Sequence, residues 1–231
     1  MNQTFITLSP AQSKGLDKQL FHNSQSLQKD ANLIAEVNKS YSKATSLTIL
    51  SLEECIKAIL VKLHSEGLKV YKIEGVQKFV KDHKLRHQVA QLIETGAGLI
   101  EVSEKWKEVK NKPQKFKVGW LNTVSNSMVA GMRFYDSAKR IEKLEAFNEI
   151  KKKGFYVGYS DELLDPEVII TKENYIETKK ITERITRFYR LLNIIYSPVL
   201  KETPKDTKNE ELKKQLKLFV NEALVGFSFK Y

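Results

Sequence analysis

One cysteine in 231 residues, Cys55, excludes a disulfide within the chain. No stretch of about 20 residues is free of charge, so no membrane-spanning helix is expected. The opening MNQTFITLSPAQSKG has no basic leader followed by a long apolar run, so no secretory signal is expected either. Catalytic signatures are also missing. There is no glycine-rich phosphate loop, no Gly-x-Ser-x-Gly elbow, and no cysteine–histidine pair in a nucleophile setting. Cys55 itself stands beside two carboxylates, which raise rather than lower a thiol pKa. These absences point to a reducing, cytoplasmic setting and to no cofactor.

What is present suffices for a core: 41% hydrophobic and 10% aromatic residues in a chain long enough for one large domain. Lysine and arginine number 39 against 28 acids, a net charge of +11, which favours a polyanionic partner, RNA being the plainest. The lysines are spread out. Lys107, Lys110, Lys112, Lys115 and Lys117 surround Pro113, and Lys151, Lys152 and Lys153 sit where a helix should end. A helix C-terminus welcomes cations, so that run reads first as capping.

The pattern is helical almost throughout. Ser9-Pro10 is a good helix start, opening a first helix expected to run to about Glu36. A central helix follows from about Tyr41 to Glu66, with Gly67 at its C′ position. A third is expected from about Val76 to Thr95, broken by Gly96 and Gly98 before Leu99 to Lys110. Beyond the loop 111–117, residues 120–153 are helical in pattern. The segment 154–159, GFYVGY, looks extended and leads into a loop to Pro166. A further helix spans about Lys172 to Tyr196, stopped by Pro198. A charged linker and a short amphipathic helix close the chain at 201–231. There are no repeats and no low-complexity tract. One all-α domain over 1–231 is the expectation, with its core in 16–200.

The central helix is apolar nearly all round, which belongs inside a bundle. It nevertheless carries Glu53, Glu54 and Lys57, within an arc of about 100°. Buried charges are costly unless paired. If this arc faces water, Glu53–Lys57 and Glu54–Lys57 are ordinary helix pairs, each contributing about 0.2–0.5 kcal/mol. On the third helix, His83 and His87 share a stripe with Val76, Phe79, Val80 and Ala90, and Arg86 lies at its edge. Two inward imidazoles can be core residues with satisfied hydrogen bonds, proton-transfer groups, or two of the four ligands a metal needs. No motif fixes a metal geometry, and none is assigned.

Three segments carry a resemblance: SLEECIKA at Ser51 to Ala58, FVKDHKLR at Phe79 to Arg86, and KGFYVGY at Lys153 to Tyr159. In this order and spacing they resemble the AbiV family of phage abortive-infection proteins, grouped with the all-helical HEPN domains. The resemblance covers roughly residues 20 to 200. It implies a HEPN-like helical bundle, often a homodimer, that arrests gene expression on phage infection. Many HEPN domains are metal-independent ribonucleases with an Arg-x(4–6)-His motif. This chain departs from that: its first arginine is Arg86 and its last histidine His87.

What matches the family pattern is Glu53, Glu54, Lys57 and His83, with Arg86 as the basic neighbour. As a ribonuclease site, His83 would move the proton, since its ordinary pKa suits neutral pH. Lys57 and Arg86 would stabilise the developing charge. Glu53 or Glu54 would orient His83 or hold Lys57, and Lys84 and His87 would contact the RNA. The alternative is a binding module without catalysis. There these side chains form a buried network fixing two helices, and the protein engages a phage-encoded trigger or the translation machinery.

Overall fold

The computed structural model describes residues 5, 7–68, 70–72, 86, 87, 89–91, 93, 94, 142–160, 162–197 and 214. The expected breaks at Gly96 and Gly98, the 111–117 loop, the stop at Pro198 and the 201–209 linker lie outside them. So does the C-terminal helix apart from residue 214, as do His83 and Lys84.

The expected first helix is two. Helix α1 (Pro10–Ser13) is one turn, closed by a reciprocal cap: Gln12 N donates to Ser9 Oγ and Ser9 N to Gln12 Oε1. Gly15 then takes φ 83°, a left-handed conformation open to glycine, and α2 (Leu16–Leu33) starts afresh. Its end widens into a π-helical turn, Ile34–Asn38, and Lys39 reverses the chain with φ 54°.

Helix α3 (Tyr41–Ser65) matches the expectation. It ends in a Schellman motif, with Gly67 at φ 82°, Gly67 N donating to His64 O and Leu68 N to Leu63 O. It is the axis of the molecule, packed against α2 on one side and the last long helix on another. Ile49, Leu52, Ile56, Ile59, Leu60 and Leu63 are all at most 1% exposed, each worth about 1.5–3 kcal/mol of burial. Small residues let its neighbours come close. Ser24 Oγ donates to Ser51 O, and Ser51 Oγ to Ser24 O, both at 2.7 Å.

Residues 86, 87, 89–91, 93 and 94 are helical, and Val89, Ala90 and Ile93 join the core. Helix α4 (142–155) adds Leu144 and Phe147. It runs past Gly154, where an extended segment was expected. The extended element is a hairpin further on: β1 (Gly158–Ser160) pairs antiparallel with β2 (Glu162–Leu164), Tyr159 opposite Leu163. Pro166 therefore opens a helix rather than ending a loop.

The short α5 (Pro166–Ile169) precedes α6 (Lys172–Ile195), within a residue of its expected span. Thr171 caps α6 with Asn174: Thr171 N donates to Asn174 Oδ1, and Asn174 N to Thr171 Oγ1. Thr171→Ala is expected to lower stability by about 1 kcal/mol, read as a drop in urea midpoint. An unchanged midpoint would mean the cap is idle.

Candidate functional site

The third side of α3 faces α4 and the helical residues of 86–94. Ser46 Oγ donates to Lys151 O at 3.0 Å, so the end of α4 lies directly on α3. Two turns further along α3, Glu53 is 2% exposed and points into this contact. Lys151 Nζ donates to Glu53 Oε1 at 2.7 Å. Arg86 Nη2 lies 3.3 Å from Oε2, and His87 Nε2 3.2 Å from Oε1. The cations are nearly as deep: Arg86 and His87 are 3% exposed and Lys151 8%. The His87 ring also stands edge-on to Phe147, centroids 5.9 Å apart.

Burial alone would raise the Glu53 pKa, but His87, Lys151 and Arg86 outweigh it and lower it to about 2. Burial pushes the His87 pKa below its ordinary value. The attraction of Glu53 opposes this without reversing it, and Lys151 and Arg86 add to the depression. At neutral pH the cluster therefore holds a carboxylate, two cations and a neutral imidazole. Cys55 is no nucleophile: burial raises its thiol pKa to about 12, with Thr186 Oγ1 4.0 Å away.

Both depressed groups act on stability with the same sign. A group whose pKa is lower folded than unfolded gives stability at high pH that is lost on acidification. His87 resists a proton that the unfolded chain accepts near pH 6.5, so its contribution fades below that value. Glu53 adds a second loss as pH falls from about 4.5 towards 2. Urea stability of the wild type is expected to decline from about pH 7 to 5.5 more steeply than that of His87→Gln. Equal slopes would show that His87 titrates alike in both states.

The sequence-derived candidates divide here. Glu53, Arg86 and His87 converge. Glu54 and Lys57 pair with each other, both about a fifth exposed, so Lys57 takes Glu54 and not Glu53 as its contact. Glu53 does not face water. The capping reading of Lys151 is corrected as well, because this lysine points inward onto Glu53.

A signal for Lys151 was available. It lies seven residues after Leu144 and four after Phe147, on the buried stripe of its helix. A second buried acid also escaped notice: Glu94, fully buried, accepts from Arg184 Nε at 2.8 and 2.7 Å and ties 86–94 to α6. Among the described residues, no group of three or more His, Cys, Asp or Glu could hold a metal ion, and no helix could cross a membrane.

A helical bundle around one central rod, with a small hairpin and a buried acid–base cluster, defines an all-α protein of HEPN type. A family model described as AbiV matches residues 12–187, and the chain belongs to that family. Membership places it with the abortive-infection proteins of antiviral defence. No curated protein and no solved structure matches it.

Proposed function

We propose that this protein arrests gene expression on phage infection by binding, with the Glu53 cluster as the fixed hub of its fold. The observation that carries this reading is the burial of Glu53, Arg86, His87 and Lys151, each less than a tenth exposed. Groups that cleave RNA must touch it, whereas groups this deep lock helices together. The partner is the translation machinery or a phage-encoded trigger, with RNA favoured as a contact by the net charge of +11. We place it in the cytoplasm, acting as a homodimer.

One observation favours metal-independent RNA cleavage as the second reading. His87 is a neutral imidazole beside a carboxylate and two cations, the ingredients of proton transfer and charge stabilisation. On this reading His83 takes the proton as the 2′-oxygen attacks phosphorus and returns it to the 5′-oxygen that leaves, Lys57 and Arg86 steady the phosphorane, Glu53 or Glu54 orients His83 or holds Lys57, and Lys84 and His87 contact the strand.

Expression in cells and incubation of purified protein with bulk RNA separate the two. The binding reading expects growth arrest that survives His83→Ala and Lys57→Ala, and intact RNA. RNA cleaved by the wild type but not by folded His83→Ala would overturn it in favour of the nuclease.

A further inference from the structure

A groove of about 480 Å³ runs between α2, α3 and α6. Its floor includes Ser51, some 200° around α3 from Glu53, so it is separate from the cluster above. None of the side chains lining it is aliphatic or aromatic. Three cations stand on its walls, Lys29 from α2 and Arg187 and Arg190 from α6, against one carboxylate, Glu183. Among the described residues no ion pair engages any of the three. Arg187 and Arg190 are one turn apart on the same helix face, where like charges repel. An anion seated between them removes that cost.

The groove also offers a hydrogen-bond pattern. Tyr175 OH donates to Asn32 Oδ1 at 2.7 Å, and Gln28 Nε2 donates to the same oxygen at 3.3 Å and to Thr48 Oγ1 at 3.4 Å. The NH₂ of Asn32 is left to donate, while Gln28 Oε1 is a buried acceptor with no donor. A buried acceptor of this kind calls for an O–H or N–H partner.

We propose that this groove binds a small phosphorylated molecule rich in hydroxyl groups. Its phosphate sits on Arg187, Arg190 and Lys29, and its hydroxyls donate to Gln28 Oε1 and Glu183. Guanidinium forks suit phosphate oxygens, and the volume is that of a small-molecule site. Single-stranded nucleic acid is disfavoured because no aromatic side chain lines the groove for a base to stack on. The proposal stands whether or not the Glu53 cluster is catalytic.

The test is calorimetric titration of the full chain with ribose 5-phosphate, inorganic phosphate, ribose and a short single-stranded oligoribonucleotide. Ribose 5-phosphate is expected to bind at least about tenfold more tightly than inorganic phosphate or ribose, because it alone satisfies both halves of the site. Arg187→Gln with Arg190→Gln should weaken it about tenfold or more without lowering Tm. Gln28→Leu should abolish the preference over inorganic phosphate. If the double glutamine variant fails to fold, Arg187→Lys with Arg190→Lys keeps the charge, loses the fork and should still weaken binding. No binding of ribose 5-phosphate, or binding indifferent to the arginines, overturns the site. Equal affinity for inorganic phosphate overturns the hydroxyl recognition. Oligoribonucleotide binding that depends on the same arginines, with ribose 5-phosphate silent, replaces the proposal with an RNA-binding groove.

Discussion

Glu53→Gln is expected to destabilise the protein by about 3–5 kcal/mol, the usual consequence of breaking a buried ion pair from one side. The substitution keeps shape and one acceptor oxygen, so packing loss contributes little. What disappears is the negative charge in a site where Arg86 and Lys151 are 3% and 8% exposed. The desolvation cost of those cations remains while the attraction offsetting it is gone. Lys151→Met should cost less, because Arg86 still faces Glu53 Oε2 at 3.3 Å. The pair Glu53→Gln with Lys151→Met should recover part of the loss, giving a coupling of at least about 1 kcal/mol in a double-mutant cycle. Urea unfolding of the four proteins measures it. Additive losses would mean that the 2.7 Å contact between Lys151 and Glu53 carries no energy.

Gly154→Ala is expected to destabilise by about 1–3 kcal/mol although Gly154 sits within a helix. In an open helix the same change would stabilise by about 1 kcal/mol. Here a Cβ would collide with Ser46 Oγ, lie 2.7 Å from Ser42 O and touch Ile170 Cδ1 at 3.2 Å. The serine can rotate, but only by giving up its bond to Lys151 O. The Ser42 carbonyl belongs to α3 and cannot yield without moving the central helix. Gly154→Val should be worse again, and Gly154→Ala combined with Ser46→Ala should recover part of the loss. A stabilising Gly154→Ala would show that α4 and α3 are further apart than described.

These two residues also mark where sequence reasoning stopped. Gly154 reads along the chain as a helix breaker, because glycine lowers helix propensity wherever it stands. The reason for it is the α3 backbone at Ser42, 112 residues earlier, with the Ser46 hydroxyl beside it, which no local pattern contains. Gly15 shows the reverse. The Ser9-Pro10 start suggested one helix to about Glu36, yet the left-handed φ of 83° at Gly15 divides the segment. A start signal marks where a helix opens, not how far its backbone runs unbroken.

Lys151 was half legible. Its place on the stripe of Leu144 and Phe147 marked it as inward-facing, but lysines at a helix end already had an explanation in the helix dipole. Glu53 was legible as an anomaly, a charge on a helix otherwise made for burial. Its partners were legible in part: Arg86 and His87 belonged to the same expected site, whereas Lys57, its natural helix neighbour, pairs with Glu54.

Composition and periodicity alone therefore established an all-α bundle with Tyr41–Ser65 as its buried rod, because apolar spacing and end caps are local and repeat every turn. Three short segments, at Ser51 to Ala58, Phe79 to Arg86 and Lys153 to Tyr159, carried the AbiV resemblance that the family match over 12–187 supports. Packing alone chose which cations meet Glu53, where Glu94 finds Arg184, and that α2, α3 and α6 leave a polar groove between them. Those choices join residues from 33 positions apart, as Glu53 and Arg86, to 98, as Glu53 and Lys151, and the rotation and offset of one helix against another are properties of no single stretch of chain.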